Sequence, residues 1–242
     1  MKTLLISDLH GCLEEFEELL DKVKYNKKDY RLIIIGDLVD RGPYSAKTVE
    51  TIRKMGIECA IGNHDSKAIR WRKHYENLNG IVGHPMKKVK EVDYSEYLKL
   101  SDEDLAWMKT LPSKINIKDN YWAIHAGCVP NIPFANQKFD SLIRVRYVDK
   151  NGKMLTLPKD RKQPEGSYYW TEIWDQPYNI IYGHNVHPNN QPRIDKNKNN
   201  ICVGIDTGAC FGGYLTAFVL EDFTFFNVKA KKTYYENLTM EE

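Results

Sequence analysis

The chain lacks the features of a membrane-spanning, secreted or disulfide-stabilised protein. Only five of its 242 residues are cysteine, and none of them form a Cys-x-x-Cys pair. An odd, small number of cysteines favours reduced thiols in a cytoplasmic protein. No apolar run is long enough to cross a bilayer, and Asp8 interrupts the apolar start too early for a secretory signal. We therefore expect a cytoplasmic protein with no membrane partner.

Charge and glycine spacing argue against two further classes. The 35 lysines and arginines nearly balance the 33 acidic residues, which leaves a formal net charge of +2, and the lysines are dispersed. Stable DNA binding is therefore not expected. The turn at residues 8–12, after the first apolar run, lacks the spaced glycines that a dinucleotide phosphate requires. An open Rossmann sheet is disfavoured for this reason.

The patterning predicts one α/β domain over residues 1–242. A hydrophobic content of 42% suffices for a full core. Short apolar runs first alternate with helical periodicity, as in a β-α-β-α-β unit, and strands dominate after Trp122. Two stretches interrupt the pattern: an irregular surface excursion at about 80–100 and a hairpin excursion at about 147–168 that turns at Asn151-Gly152. Helices are predicted at residues 13–23, 46–55 and 66–77 and after Ser101.

Five short polar clusters, each directly after an apolar run, dominate the sequence. Each run is too short for a helix and is typical of a buried strand. Because ligand sites collect where the strands of an α/β sheet end, we expect the clusters to meet at one edge of the fold. The clusters are Ser7-Asp8-Leu9-His10-Gly11, Gly36-Asp37-Leu38-Val39-Asp40-Arg41-Gly42, Gly62-Asn63-His64-Asp65, His125-Ala126-Gly127 and Gly183-His184-Asn185.

These clusters offer the donor atoms of a metal site. Carboxylate, imidazole and amide donors without thiolate suit Mn, Fe or Zn, with Ni or Co as alternatives, and argue against a structural zinc site. Asp8 and His10 are two residues apart on an extended chain, so both can reach one ion. The two oxygens of Asp37 could bridge two ions, which in such sites lie about 3.5–4 Å apart and stabilise attacking and leaving oxygens. The sequence therefore predicts a two-metal phosphoesterase.

Taken in this order, the clusters resemble a known family. Asp-x-His-Gly, Gly-Asp-x-Val-Asp-Arg-Gly, Gly-Asn-His-Asp, His-Ala-Gly and a late Gly-His are similar to the signature of the phosphoprotein phosphatase group of calcineurin-like metallophosphoesterases. With the stretch at 204–217, the chain most resembles the bacterial and phage diadenosine tetraphosphatases and small serine/threonine phosphatases of that group. The resemblance implies a β-sandwich of two mixed sheets flanked by helices, with a dinuclear site at the strand ends.

The resemblance also implies a cofactor and its ligands. Two divalent metal ions, Mn by preference, would share the Asp37 carboxylate and a water molecule that serves as the nucleophile. The shared water would supply hydroxide without a separate strong base, because two divalent charges lower its pKa. One ion would be held by Asp8, His10 and Asp37, and the other by Asp37, Asn63, His125 and His184.

Residues beside these ligands are expected to handle the substrate. His64 is free to act as general acid on the leaving oxygen, and Asp40, by similarity to the family, would hold its imidazole. Arg41 would bind phosphoryl oxygens together with Arg144 or Arg146. The residues around these last two arginines alternate as a strand does, which places both on one face and leaves the choice between them open.

The substrate follows less directly from the residues. Aromatic side chains at 168–170 and Trp174 could stack a nucleobase, but burial in the core of the late sheet is the favoured interpretation. Asp206 is interpreted as a turn carboxylate that supports the site. The resemblance favours a phosphorylated small molecule, a dinucleoside polyphosphate such as diadenosine tetraphosphate, or a capped RNA end. A serine/threonine phosphatase acting on phosphoproteins is the alternative, and a non-catalytic metal-dependent binding module is the remote one, since every motif position is filled.

Overall fold

The computed structural model describes residues 1–77, 94–158 and 162–236. Its strands are β1 (Lys2–Ile6), β2 (Tyr30–Ile35), β3 (Glu58–Ala60), β4 (Lys114–Lys118), β5 (Tyr121–Ile124), β6 (Tyr147–Val148), β7 (Tyr168–Tyr169), β8 (Asn179–Tyr182), β9 (Arg193–Lys196), β10 (Ile201–Gly204), β11 (Tyr214–Val219) and β12 (Thr224–Lys229). Its helices are α1 (Leu13–Val23), α2 (Ser45–Met55), α3 (Asn63–Asn77), α4 (Tyr94–Leu98), α5 (Asp102–Met108) and α6 (Phe139–Leu142). Short 3₁₀ helices lie at Phe134–Asn136, Trp170–Ile173 and Pro188–Asn190.

Most of the strands form two mixed sheets that face each other. The first sheet has the order β12-β11-β1-β2-β3, with β1, β2 and β3 parallel and β11 antiparallel to both of its neighbours. The second sheet has the order β4-β5-β8-β10-β9, with β5, β8 and β10 parallel and antiparallel strands at its edges. Helices cover the outer face of the first sheet. The predicted α/β fold of two mixed sheets flanked by helices is confirmed.

The central strands are buried on both faces, which explains their continuous apolar runs. Along β1, Leu5 points into the layer between the two sheets, whereas Leu4 and Ile6 point to the opposite face and pack with residues of the helices. In β8, Ile181 joins the layer between the sheets, and Ile180 belongs to a second cluster on the far side. Because side chains alternate along each strand, both faces of each central strand contribute to packed apolar layers, three in all, and neither face is left to solvent.

The predicted helices are present, with small shifts at their ends. The second helix stops as expected, because Gly56 follows it with φ 64°, a left-handed conformation that glycine adopts readily. Ser101 caps α5 in a capping box with Asp104. The third helix begins at Asn63, three residues earlier than the spacing predicts, so Asn63 and His64 lie on its first turn.

The two predicted excursions are described in part. Residues 78–93 and 159–161 lie outside the described residues, so the irregular segment at 80–100 is tested only at its end. That end is helical rather than irregular, since Tyr94–Leu98 forms α4. In the hairpin excursion β6 pairs with β7, and the turn at Asn151-Gly152 is closed by Gly152, whose nitrogen donates to the Asp149 carbonyl oxygen at 2.9 Å.

The late aromatic residues belong to the core. Tyr169, Trp170 and Trp174 are buried on the outer side of the second sheet, as the favoured interpretation held, while Tyr168 is exposed. The three buried rings therefore present no free face to a nucleobase. Within the described part of the chain, no helix combines the length and the apolar character needed to span a membrane.

Candidate metal centre

The loops that follow β1 and β2 remain paired after the strands end. The backbone nitrogen of Asp8 donates to the Gly36 carbonyl oxygen at 3.2 Å, and that of His10 donates to the Asp37 carbonyl oxygen at 2.8 Å. Gly11 donates in the same way to Leu38 at 2.9 Å. This pairing places the Asp8, His10 and Asp37 side chains at one rim of the first sheet.

The rim residues adopt a backbone conformation that side chains ordinarily avoid. Asp8, His10, Asp37 and His184 have φ values of 52°, 43°, 54° and 70°. Non-glycine residues in this left-handed region carry strain, and they cluster at functional sites where the surrounding structure holds them. The fold therefore stabilises an arrangement of polar side chains that the local chain would not adopt by itself.

Two glycines let the rims of the sheets approach each other closely. A Cβ atom on Gly62 would overlap the Asp37 carboxylate, and one on Gly183 would overlap the Asp8 carboxylate. The nitrogen of His184, next to Gly183, donates to Asp8 Oδ2 at 2.8 Å. Glycine is therefore required at these two positions because any side chain there would collide with a candidate ligand, and not only because the chain turns.

Four candidate ligands converge between the two sheets. His125 Nε2 lies 3.1 Å from Asn63 Oδ1, 3.1 Å from His184 Nδ1 and 3.3 Å from Asp37 Oδ2. His125 Nδ1 is 2.9 Å from the Ile35 carbonyl oxygen, to which it donates, so Nε2 carries a lone pair in the neutral ring. With His125 neutral, these atoms would direct lone pairs at one point, and carboxylate, amide and imidazole donors are the types that a divalent ion takes.

The other candidate ligands lie at the rim of the first sheet alone. His10 Nε2 lies 3.5 Å from Asp37 Oδ2 and 4.0 Å from Asp8 Oδ1, and its Nδ1 donates to the Val39 carbonyl oxygen at 2.8 Å. Ligand atoms of His10, Asp37 and His64 also lie within 4.8 Å of one another. Asp37 is therefore common to both groups, as the bridging prediction requires.

Electrostatics also favours cations here. Burial and the neighbouring Asp206 carboxylate raise the pKa of Asp8 well above its usual value. Burial opposes a charge on His125, but the adjacent Asp37 carboxylate outweighs it and raises the pKa of His125 to about 9. Asp206 Oδ1 accepts a hydrogen bond from the Gly208 nitrogen at 3.0 Å, the turn role interpreted from the sequence. Buried carboxylates are thus gathered at a place where divalent charge would compensate them.

Asp65 has a structural role that the sequence analysis missed. Its carboxylate accepts hydrogen bonds from the backbone nitrogens of Asp37 at 2.8 Å, Leu38 at 2.8 Å and Gly62 at 2.9 Å. It therefore fixes the turn that carries Asp37 to the start of α3. The sequence signal for this role was an acidic residue two positions after Asn63, in the first turn of α3.

The predicted acid and its partner are in contact. His64 Nδ1 lies 2.5 Å from Asp40 Oδ2, and both side chains are buried. Burial would raise the pKa of Asp40, but the hydrogen bond and charge of His64, together with Lys67 and the Tyr97 hydroxyl, lower this pKa to about 2. Asp40 is therefore ionised over the neutral pH range and able to orient the imidazole.

Arg41 lies between the candidate metal ligands and the His64–Asp40 pair. Its Nη1 is 2.7 Å from His10 Nε2, and its Nη2 is 3.2 Å from His64 Nε2. The guanidinium carbon sits 4.8 Å from the centre of the Phe211 ring and 5.9 Å from that of Tyr235. The aromatic contacts, which the sequence analysis did not predict, hold a cation beside the centre.

The prediction that Arg144 and Arg146 share one face of a strand is wrong. The chain turns after α6, because the nitrogens of Arg144 and Val145 both donate to the Ser141 carbonyl oxygen. Arg144 is directed to Asp140, 3.5 Å away. Arg146 Nε donates to Asn185 Oδ1 at 3.0 Å, and its Nη2 donates to the carbonyl oxygen of His184 at 3.2 Å. Of these two arginines, Arg146 is therefore the one that lies beside the candidate ligands.

A buried group of carboxylate, imidazole and amide donors, flanked by an imidazole–carboxylate pair and two arginines, defines a candidate metal-dependent phosphohydrolase site. The sequence model of the calcineurin-like phosphoesterase family matches residues 1–213. The chain belongs to this family and is a metal-dependent phosphohydrolase.

Similar proteins carry more specific names. The chain is 28% identical to an asymmetrical bis(5'-nucleosyl)-tetraphosphatase of Oceanobacillus iheyensis, over 97% of this chain and 94% of that one. It is 26% identical to a symmetrical bis(5'-nucleosyl)-tetraphosphatase of Proteus mirabilis, over 93% and 97%. A solved structure provisionally described as a diadenosine tetraphosphatase superposes with a TM-score of 0.76 at 22% identity, covering 95% of this chain and 93% of that one. This last likeness shows the fold.

Proposed function

We propose that the protein hydrolyses dinucleoside polyphosphates such as diadenosine tetraphosphate, using two divalent metal ions. The observation that carries the proposal is the convergence of both candidate donor groups on the single Asp37 carboxylate. The substrate class is supported by relatives of nearly the same length that are named bis(5'-nucleosyl)-tetraphosphatases. Mn is the proposed metal, and the same oxygen and imidazole donors also suit Fe and Zn.

The proposed ligands would form two groups that share Asp37. One ion would be held by Asp8, His10 and Asp37, and the other by Asp37, Asn63, His125 and His184. When bound, a pair of divalent ions lowers the pKa of a water molecule and neutralises charge that develops on the phosphoryl oxygens. His10 Nδ1 and His125 Nδ1 donate to backbone carbonyl oxygens, which turns each Nε2 towards the centre as a candidate ligand. Arg41 Nη1 lies 2.7 Å from His10 Nε2, so binding of an ion by His10 would displace this contact.

His64 is proposed to give a proton to the leaving oxygen. Its Nδ1 faces Asp40, and its Nε2 faces Arg41 and the candidate centre, so the proton-donating atom lies on the substrate side. Burial and the neighbouring Arg41 lower the pKa of His64; the ionised Asp40 carboxylate acts against this shift and fixes the plane of the imidazole. For an anhydride substrate the leaving group is a nucleotide phosphate, and for an ester it is an alcohol.

The two arginines near the centre are proposed to bind phosphoryl oxygens. Arg41 reaches both His10 and His64, so a phosphoryl group at the centre lies within its range. Arg146 is held beside His184 by two hydrogen bonds from the opposite rim. Planar guanidinium groups bind phosphate through paired hydrogen bonds, which suits a substrate with several phosphates in a row.

A direct comparison of substrates tests this proposal. Turnover of diadenosine tetraphosphate and of a phosphoserine peptide is measured side by side in manganese, with the nucleotide products separated by chromatography. We expect a higher kcat/KM for the dinucleotide, because its remote groups contribute binding energy. The products, two ADP or ATP with AMP, give the position of cleavage. A higher kcat/KM for the peptide contradicts the substrate class and leaves the metal chemistry standing.

A further inference from the structure

The Asp40 carboxylate has two partners besides His64. Lys67 Nζ lies 2.9 Å from Asp40 Oδ2, the same oxygen that faces His64 Nδ1. The Tyr97 hydroxyl donates to the other oxygen, Asp40 Oδ1, at 2.5 Å. Asp40 is 3% exposed and Tyr97 is fully buried. Both carboxylate oxygens are therefore engaged by donors in a site from which water is largely excluded.

The two extra donors reach Asp40 from different helices that pack against each other. Lys67 lies on α3, one turn after Asn63, and Tyr97 lies on α4. Trp71, one turn beyond Lys67 on the same side of α3, contacts the Tyr97 ring with centroids 5.6 Å apart. Arg72 Nη1 also donates to the Tyr97 carbonyl oxygen at 3.3 Å. Packing between the two helices thus fixes where both donors point.

Three donors restrict the carboxylate more than one donor can. The Asp40 side chain starts from a backbone with φ 75°, and the Asp40 nitrogen donates to Ser45 Oγ at 3.0 Å. Lys67 and Tyr97 contact both oxygens of Asp40 and so fix the plane of its carboxylate independently of His64. Since the hydrogen bond to Asp40 orients the imidazole, the direction of His64 Nε2 is set as well.

We propose that Lys67 and Tyr97 are positioning residues, which hold Asp40 so that His64 presents its Nε2 to the leaving oxygen. The inference rests on the proposed role of His64 as proton donor. It assigns to Lys67 a role that an ordinary surface ion pair lacks. The Lys67 side chain is only 17% exposed, whereas Lys54, which pairs with Glu50 on α2, is 63% exposed and serves as a matched control.

The test uses Lys67→Met and Tyr97→Phe on two monoesters that differ in leaving group, phenyl phosphate and p-nitrophenyl phosphate. We expect kcat on phenyl phosphate to fall about 10-fold in each variant, with KM and manganese content unchanged. On p-nitrophenyl phosphate, whose leaving group needs little protonation, we expect almost no change. Lys67→Arg keeps a cationic donor and should restore most of the activity. Lys54→Met and Tyr44→Phe, which remove surface contacts to carboxylates, should behave as the unmodified protein.

A second background separates this inference from the role of His64. His64→Asn should lose about 10²–10⁴-fold on phenyl phosphate and far less on p-nitrophenyl phosphate. In that background Lys67→Met and Tyr97→Phe should cause no further loss, because there is no imidazole left to position. A further loss there, or equal losses on the two esters, overturns the inference alone. If His64→Asn itself loses equally on both esters, the proposed acid role fails and the inference falls with it.

Discussion

The two sheets contribute different chemistry to the candidate centre. The rim of the first sheet supplies Asp8, His10 and Asp37 from loops that pair with each other through backbone hydrogen bonds. The second sheet supplies only the imidazoles of His125 and His184, from the ends of β5 and β8. Under the proposed assignment, one ion is therefore held within a single sheet, and the other links the two sheets. Asp37 belongs to both.

The largest effect is expected from a substitution of Asp37, the residue that the two proposed ions share. Asp37→Asn removes the charge common to both groups, so the purified protein should lose most of both ions and nearly all turnover. Elemental analysis and turnover of diadenosine tetraphosphate measure this. Asp8→Asn is the control, because it should chiefly weaken the ion held within the first sheet. An Asp37→Asn protein with both ions at full occupancy would contradict the bridging role.

The next prediction concerns the contact between the rims. A Cβ on Gly183 would overlap the Asp8 carboxylate and lie 2.7 Å from Ser7 Cβ. Gly183→Ala should therefore push the His184 loop away from the first sheet, destabilise the protein by about 1–3 kcal/mol and lower metal content. Thermal unfolding and elemental analysis report both effects. Gly166→Ala is the control: its Cβ would meet nothing within 4 Å, so although the φ of 67° strains an alanine and costs some stability, the protein should keep its metal. Full metal content in Gly183→Ala would show that the rims tolerate separation.

A smaller effect is expected from the arginine on the side of the second sheet. Arg146→Ala should lower kcat/KM for diadenosine tetraphosphate about 10- to 100-fold, the usual cost of hydrogen bonds to a charged group. Arg144→Ala is the matched control, since Arg144 is directed to Asp140 instead. Steady-state kinetics with the dinucleotide and with p-nitrophenyl phosphate compare the two. A greater loss on the dinucleotide places Arg146 beyond the phosphate that is cleaved. Equal effects of the two alanine variants would contradict the assignment.

The smallest effect is expected on the side of the first sheet, at the ring beside Arg41. Tyr235→Leu removes one aromatic contact with the guanidinium and should raise KM about two- to tenfold, the range for a cation–π contact. Tyr235→Phe keeps the ring and should behave as the unmodified protein. Tyr214→Leu is a control that removes a similar contact with Lys229. A KM in Tyr235→Leu equal to that of Tyr235→Phe would show that the ring does not aid substrate binding.

Most of the fold and the candidate ligands could be predicted because both are encoded locally. Apolar runs such as 32–35 are buried on both faces, so strand and burial coincide in the sequence. The polar residues directly after them meet because parallel strands end at the same edge of the sheet. Their order along the chain, matched to a family signature, supplied the ligand groups.

What escaped prediction depends on contacts between distant segments or on short-range hydrogen bonding. Arg144 and Arg146 alternate like strand residues, but hydrogen bonds to Ser141 turn the chain there. Tyr235 reaches Arg41 because the Tyr235 backbone nitrogen donates a hydrogen bond to the Cys210 carbonyl oxygen at 3.0 Å, and no local sequence pattern predicts this pairing. Lys67 looks like an ordinary helix lysine until the fold brings Asp40 to it.

Anomalous diffraction from crystals grown with manganese would show directly whether Asp37 joins two ions. We expect two peaks about 3.5–4 Å apart, the spacing of two-metal sites, with the Asp37 carboxylate between them. One peak should be surrounded by Asp8, His10 and Asp37, and the other by Asp37, Asn63, His125 and His184. A single peak held by His10, Asp37 and His64 would contradict the division between the sheets and remove His64 from its role as proton donor.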